Sequence, residues 1–321
     1  MIIVQLSGGL GNQMFQYALY LALDAEGREV RIDEVTEYDE REKQRHPELV
    51  EDFDAQLPSY RIATREEIVA LTDSYMDFLS RVRRKLTGRR TKLYAERKPY
   101  VFDPAVLGLT EAYLTGCWQS EQYFAAVRQE VRQAFSMDGV RLTGRRREYE
   151  RMILAADGAD VRPHCGEDGL RQGASADGAL RSVPVSIHIR RGDYLNRQDI
   201  YGGICTEEYY RRAMAQMEEA LRKRGERPKY FVFTNDPDWA EEHFVGSGAV
   251  VVCGEGKPDG SGIEDMKLMS LCRHHIIANS SFSWWGSWLS REEGRLVMAP
   301  PRFINTSDGT DMLRDDMIVI Q

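Results

Sequence analysis

The sequence predicts an α/β protein made of two successive Rossmann-like domains. Three observations carry this. The chain opens on a strand, a glycine turn, a helix and a second strand, a unit that predicts parallel pairing. After Pro184, short β-branched runs alternate with helical patterns as far as Ala299. The length, 321 residues, is too great for one small module and suits two medium domains. Between the two regions, residues 157–182 lose all periodicity and fill with Gly, Ala and Asp. The expected division is therefore a first domain over 1–156, a flexible insertion over 157–182 and a second domain over 183–321.

Taken in order, Ile2 to Leu6 is short and mostly apolar, as a strand buried on both faces should be. Ser7 to Gly11 turns the chain. Met14, Phe15, Ala18, Leu19 and Ala22 then fall at helical spacing over Asn12–Glu26, and Gly27 is placed to end that helix. Glu29 to Asp33 is the second strand. Helical patterns return at 65–71, 75–86 and 120–135. In the second half, strands are expected at 185–189, 230–234, 250–252, 275–278 and 296–299. Helices are expected between them, the longest running from an N-cap at Thr206 to Arg224.

Composition excludes several function classes. The chain is 42% hydrophobic and 29% charged, ordinary for a globular protein. Its 43 basic and 51 acidic residues leave a net charge of −8, which argues against general nucleic-acid binding. The five cysteines, Cys117, Cys165, Cys205, Cys253 and Cys272, form no CxxC pair, so a zinc ribbon or disulfide scaffold is not expected and a reducing compartment fits. His164 and Cys165 lack partners at metal spacing. No basic region precedes a long apolar run at the N-terminus, and nowhere do 18 apolar residues run together, so neither a secretory signal nor a membrane span is expected. Residues 81–98 hold nine basic residues and one acid. They read as a solvated face, or as a rim making a weak contact with an anionic membrane from the cytoplasmic side.

Three turns and one acidic pair carry candidate chemistry. Gly9 and Gly11 begin a dinucleotide fingerprint, with Asp33 placed where a ribose-binding acid would sit. Met14 stands where the third glycine belongs, which weakens an NAD-type reading. Asn12 and Gln13 at the helix start offer polar amides to a sugar or an anion; alternatively Asn12 only caps the helix. In Ile187-His188-Ile189-Arg190-Arg191-Gly192-Asp193-Tyr194, strand alternation brings His188 and Arg190 to one face, and a guanidinium at a strand's C-terminal end suits a phosphate. Arg191 points the other way, towards Asp193 or solvent. Asn279 to Trp288 reads as a serine-capped helix start, an anion site, followed by tryptophans of which two suit a core and a third suits stacking on a sugar or base. Asp236 and Asp238 after the strand at 230–234 form a weak Asp-x-Asp metal signal. Asp236 has a better use in accepting the N1 and N2 hydrogens of guanine.

Six segments in order resemble glycosyltransferase family 11, the bacterial α-1,2-fucosyltransferases: 7–18 SGGLGNQMFQYA, 116–124 GCWQSEQYF, 188–194 HIRRGDY, 233–236 FTND, 264–272 EDMKLMSLC and 279–289 NSSFSWWGSWL. The resemblance displaces the dehydrogenase reading. It departs from the family at 157–182, which is longer and looser, and at 45–49, where RHPEL replaces the usual run. The resemblance implies a GT-B fold, two Rossmann-like domains facing a cleft. It implies GDP-β-L-fucose as donor, a galactose-terminated glycan as acceptor, and inversion to an α-fucoside at the 2-hydroxyl, with no metal or other cofactor. Arg190 is then the diphosphate contact, and Asn12 lies near the reacting carbon. Asp193 is the nearest carboxylate for the proton. Gly11, Gln13, His188, Arg191, Asp236, Ser281, Phe282 and Ser283 fall on the donor side, and Trp118 and Gln119 on the acceptor side. Two alternatives stay open: a fucosyltransferase of α-1,6 or protein-O linkage, and a non-catalytic protein that binds a GDP-sugar or glycan.

Overall fold

The computed structural model describes residues 1–34, 48–53, 57–72, 85, 91–157, 180–244, 246, 248–253 and 262–321. Two compact units account for them. One comprises Met1–Ser136 with Ser307–Met312, the other Met137–Thr306 with Leu313–Gln321. Each unit contains one parallel sheet with helices packed on it, the pair of Rossmann-like halves expected of a GT-B chain.

In the first unit, β1 (Ile2–Gln5) leads into α1 (Leu10–Ala25) and β2 (Val30–Asp33). The short helices α2 (Glu48–Phe53) and α3 (Arg65–Thr72) follow, then β3 (Leu93–Ala95), α4 (Ala105–Gly108), β4 (Ala112–Thr115) and α5 (Arg128–Ala134). The strand order is β2-β1-β4-β3, all parallel. The chain leaves β1 for β2 on one side and then crosses to β3 and β4 on the other, so the topological switch point lies beyond the C-terminal ends of β1 and β4. Asp33 is wholly buried and its Oδ2 accepts the Tyr113 hydroxyl at 2.6 Å. That engagement removes it as a ribose ligand. Met14 is likewise wholly buried.

The second unit begins with α6 (Arg146–Ala156) and β5 (Arg181–Ile189). Two one-turn helices, α7 (Gly192–Leu195) and α8 (Gln198–Tyr201), precede α9 (Glu207–Arg222). β6 (Glu226–Thr234), α10 (Pro237–Phe244), β7 (Val250–Val252), α11 (Gly262–Leu271) and β8 (His274–Ile276) follow. The unit ends with α12 (Ser281–Leu289), β9 (Val297–Ala299) and β10 (Met317–Val319). The order is β10-β9-β8-β5-β6-β7, again parallel. Its switch point lies between β5 and β8. One face packs Val183, Val185, Ile187 and Ile189 against Tyr209, Tyr210, Ala213, Met217 and Leu221 of α9. The other packs Phe231 and Phe233 against Leu268 and Met269 of α11 and Tyr149 and Ile153 of α6. With both faces covered, β5 is continuously buried from Val183 to Ile189, which is why it reads as an apolar run. Thr206 caps α9 as expected, its side chain accepting from the Tyr209 N–H.

The units part after Ser136 rather than at 156, because α6 belongs to the second sheet. Arg146 near the start of α6, only 7% exposed, donates to Asp265 at 2.9 Å and lies 3.4 Å from Glu264. Glu264 also accepts from the Thr143 N–H and hydroxyl. In return, Ser307–Met312 joins the first unit: Phe102 N–H donates to Asp311, and Asp311 N–H donates to the Tyr100 carbonyl. A Cβ on Gly309 would press on the carbonyl oxygens of Pro99 and Tyr100, so only glycine allows that approach. Residues 158–179 of the insertion and half of the basic run at 81–98, residues 81–84 and 86–90, lie outside the described residues. No helix among the described residues is long and apolar enough to cross a membrane.

Removing Arg146 takes the cation from the buried Glu264 and the half-buried Asp265. Arg146→Ala should therefore cost about 3–5 kcal/mol, read as a lower urea midpoint with an unchanged m-value. A midpoint within experimental error of wild type would show that α6 is held by its apolar face alone.

Candidate functional site

The arginine turn grows from the end of β5. His188, still on the strand, is 5% exposed and faces Phe282 of α12 at 5.4 Å between rings. Burial, reinforced by the nearby Arg190 charge, pulls its pKa down to about 3, so it is neutral at physiological pH. Its Nδ1 is buried with no hydrogen-bond partner among the described residues. A buried, unsatisfied polar atom on a strand end calls for a ligand group or a water.

Arg190 follows just past the strand and is exposed, with its guanidinium 5.9 Å from the Tyr194 ring centre. Tyr194 is fixed in turn: it stacks on Tyr201 at 3.9 Å and donates to the Asn279 carbonyl at 3.0 Å. That last bond ties the arginine turn to the loop after β8, across the switch point of the second sheet. Open parallel sheets bind their ligands at such a point.

Arg191 takes a different part from the one expected. Its Nε donates to Asp236 at 2.9 Å and its guanidinium lies 4.2 Å over Trp239, while its N–H donates to Asn235 Oδ1. A Cβ on Gly192 would collide with the Asn235 amide, so the glycine lets β5 and β6 loops lock together. Asp236 Oδ1 also accepts the Trp239 N–H and starts α10. Its carboxylate is thus engaged on both oxygens, and guanine recognition would draw on the lone pairs that remain. Asp238 lies in the first turn of α10, an ordinary partner of the helix dipole. No group of three or more potential metal ligands occurs among the described residues. The Asp193 backbone belongs to α7; its side chain lies outside the described part.

At the serine turn, Ser280 is the N-cap, accepting from the Phe282 N–H at 3.3 Å. Ser281 and Phe282 are partly exposed and stand beside the arginine turn. Ser283 departs from expectation. It is wholly buried, its hydroxyl bonded to Ala278 N–H and lying near the Ala278 and Ser280 carbonyls, so it closes the turn rather than offering a donor to a ligand. The three tryptophans Trp284, Trp285 and Trp288 are all wholly buried, so none is left to stack on a ligand. Helical spacing identified two as core; α12 is covered on every side, which buries the third.

In the first unit, Gly9 rather than Asn12 caps α1, without a side-chain cap bond. Asn12 Oδ1 instead accepts from Gln119 Nε2 at 2.8 Å, joining the loops after β1 and β4. Gly11 is buried on the first turn. Gln13 is 1% exposed, its amide bonded to the Gly8 carbonyl and the Leu49 N–H. It builds the turn and does not reach a ligand. Trp118 and Gln119 are also buried, at 0% and 6%. A wholly buried Trp118 cannot lay its ring face on a sugar.

Three residues were missed. Gln16 bonds Ser7 and the Gly116 carbonyl, holding the glycine turn to the β4 loop. Asn235 was quoted in FTND without a role. Glu96 hid in a basic run, yet its two oxygens accept the N–H groups of Cys117 and Trp118 at 2.9 and 3.2 Å. A single acid amid nine bases was the available signal.

Known proteins similar to this chain include glycosyltransferases. The family model for glycosyl transferase family 11 matches residues 168–311. An Escherichia coli alpha-1,2-colitosyltransferase is 27% identical over 306 residues, 93% of this chain and 91% of that protein. The galactoside alpha-(1,2)-fucosyltransferase 2 of Bos taurus is 25% identical over 289 residues, 89% of this chain and 68% of its own. Among solved structures, POFUT1 in complex with GDP-fucose aligns with a TM-score of 0.45 at 12% identity, over 93% of this chain and 97% of that one. The NodZ alpha-1,6-fucosyltransferase aligns with a TM-score of 0.41 at 15% identity, over 90% and 91%.

The buried imidazoles set a pH dependence. His188 and His274 are pulled to about 3 and His275 well below its ordinary value, each chiefly by burial. An unfolded histidine protonates near pH 6.5. Below that pH the unfolded state binds more protons at these sites, so they destabilise the fold increasingly as pH falls from about 6.5 towards 3. Each contributes up to about 1.4 kcal/mol per pH unit. His188→Gln should remove about one proton from the slope of unfolding free energy between pH 6 and 4. An unchanged slope would mean that His188 carries its proton in the folded protein.

Proposed function

We propose that the chain is a member of glycosyltransferase family 11, an inverting galactoside α-1,2-fucosyltransferase using GDP-β-L-fucose. The observation that carries this reading is the end of β5. There an exposed guanidinium, a neutral buried imidazole with an unpartnered Nδ1 and a serine-capped helix start converge at one switch point.

The chemistry needs those groups. The bond from fucose C1 to the diphosphate breaks, its electron pair leaves on GDP, and the acceptor oxygen bonds C1 from the opposite face as it loses its proton. Charge grows on the β-phosphate. Arg190 neutralises it with a planar fork that spans two oxygens, and the start of α12 adds the positive end of its dipole. Preorganised groups of this kind act where charge develops, without reorganising at the moment of reaction. His188 Nδ1 would bond the nucleoside, with Asp236 reading guanine through its spare lone pairs. Asn12, oriented by Gln119, would position the fucose or the acceptor, an effect worth several kcal/mol. Asp193 is the carboxylate nearest Arg190 in the chain and the proton acceptor of this reading.

A second donor is favoured by one observation: the relative matching 93% of the chain is a colitosyltransferase. Colitose is L-fucose without its 3-hydroxyl, so the same nucleotide contacts serve both. Transfer assays with both GDP-sugars and a β-galactoside, with linkage analysis of the product, test the proposal. A fucosyl bond to any position other than O2 would sink the α-1,2 assignment, and exclusive use of GDP-colitose would replace the donor.

Arg190→Ala should lower turnover by about 10²–10³-fold. Arg190→Lys should recover little, because an ammonium keeps the charge but loses the fork. Near wild-type turnover in the lysine variant would make Arg190 structural. The same assay in EDTA should run unchanged, since Arg190 and backbone N–H groups take the role a cation would have. Loss of activity that Mn²⁺ restores would promote Asp236 and Asp238 to metal ligands.

A further inference from the structure

Open parallel sheets form their ligand crevice where two neighbouring strands stop pairing and lead away in opposite directions. In the second unit those strands are β5 and β8. They pair from Val185–His274 to Ile187–Ile276, and β5 then runs on beside β6 to the Ile189–Thr234 pair. Past Ile187 and Ile276 the two chains carry carbonyls that their ladder no longer serves, and a buried carbonyl without a donor is costly.

Ile277 is the first. Its N–H donates to the Met298 carbonyl at 2.9 Å, so parallel register would give its own carbonyl to the N–H of residue 300. Residue 300 is a proline and has no N–H. His188 is the second. Its carbonyl lies one residue beyond the last β5–β8 pair, and the N–H of Ala278, two residues past Ile276, goes to Ser283 Oγ at 3.2 Å.

Two consecutive tyrosines of α9 supply the missing donors. The Tyr209 hydroxyl donates to the Ile277 carbonyl at 2.6 Å, and the Tyr210 hydroxyl to the His188 carbonyl at 3.0 Å. Both residues are buried, and their rings meet edge to face at 5.0 Å between centres. Burial holds both phenols well above their ordinary pKa, so each remains a donor through the physiological range. Thr206, which caps α9 on the Tyr209 N–H, fixes the turn of helix that carries them.

We propose that Tyr209 and Tyr210 are positioning residues for the nucleotide: their hydroxyls hold the ends of β5 and β8 in the parted arrangement that aims His188 and the start of α12 at one ligand. This rests on the donor site of the glycosyltransferase reading above and adds to it two residues buried outside that site. Packing alone does not ask for the hydroxyls, since phenylalanine fills nearly the same space. Each hydroxyl is buried only because it meets a carbonyl, and both carbonyls belong to the segments that carry the site. Without them the strand ends must turn to other donors. A protein of which only a fraction keeps the competent arrangement binds more weakly by that fraction.

The test compares single hydroxyl deletions. Tyr209→Phe and Tyr210→Phe each remove one bond at the crevice. Tyr230→Phe is the control: it removes a buried hydroxyl's bond to the Met214 carbonyl, at 3.3 Å, on a residue level with Val185 and so further back along the sheet. All three variants should melt below wild type. Only the first two should also weaken GDP binding, read by calorimetry, and raise the GDP-fucose KM, each by about fivefold or more, with the β-galactoside KM unchanged. A change of about fivefold means that roughly one molecule in five keeps the arrangement. If one variant fails to fold, the other decides. Unchanged GDP affinity in the folded variants would overturn the proposal, and so would an equal loss in Tyr230→Phe, the mark of a general loosening. If the wild type binds no GDP, the functional reading fails separately, and NMR of the histidine rings tests the geometry. Tyr210→Phe should then move the His188 signal, assigned by its loss in His188→Gln, while Tyr230→Phe leaves it in place. An unmoved His188 signal in Tyr210→Phe would refute the positioning role.

Discussion

A parallel strand with no water on either face can present polar groups to a ligand only where it ends. β5 imposes that constraint on the second unit. From Val183 to Ile189 it is buried between the α9 layer and the α6–α11 layer. His188 is the last polar side chain the strand can hide, and Arg190 the first that the sheet releases. Everything else at that edge secures the release point. Asn235 bonds the Arg191 N–H, Asp236 and Trp239 hold the Arg191 guanidinium, and Tyr194 reaches across to the Asn279 carbonyl. Two adjacent arginines therefore do different things: one fastens the turn, the other faces outward.

The first unit meets the same constraint with amides. Gln13 and Gln16 are buried in α1, and their side chains satisfy carbonyls and N–H groups that the glycine turn and its neighbours leave without a ladder. Such bonds contribute modestly to stability, but a buried group left unbonded costs more. Glu96 does the equivalent for the β4 loop. The polar residues nearest the glycine turn are thus spent mainly on shaping loops, and Asn12 is the partly exposed exception.

The proposed fucosyl transfer would place its demands chiefly on the donor edge. The donor side needs fixed positive charge and a hydrogen-bonding imidazole that stays neutral. Burial beside a guanidinium supplies that neutrality for His188.

The sequence alone determined the two parallel α/β halves, the N-cap at Thr206 and the placing of His188 and Arg190 at a strand end. These follow from periodicity and turn chemistry, which are local. Six short segments also carried its resemblance to glycosyltransferase family 11. What it left undecided depends on which side chains the fold brings together. Whether Gln13 and Ser283 meet a ligand or the protein's own backbone, whether Arg191 reaches Asp236, and whether α6 joins the first sheet or the second are all matters of long-range contact. Glu96 is the sharpest case. Among nine basic neighbours it reads as one charge on a solvated face, and only the approach of β3 to the loop after β4, some twenty residues on, turns it inward onto two backbone N–H groups. A hydrogen bond of that range has no signature in spacing, because its partners are atoms common to every residue.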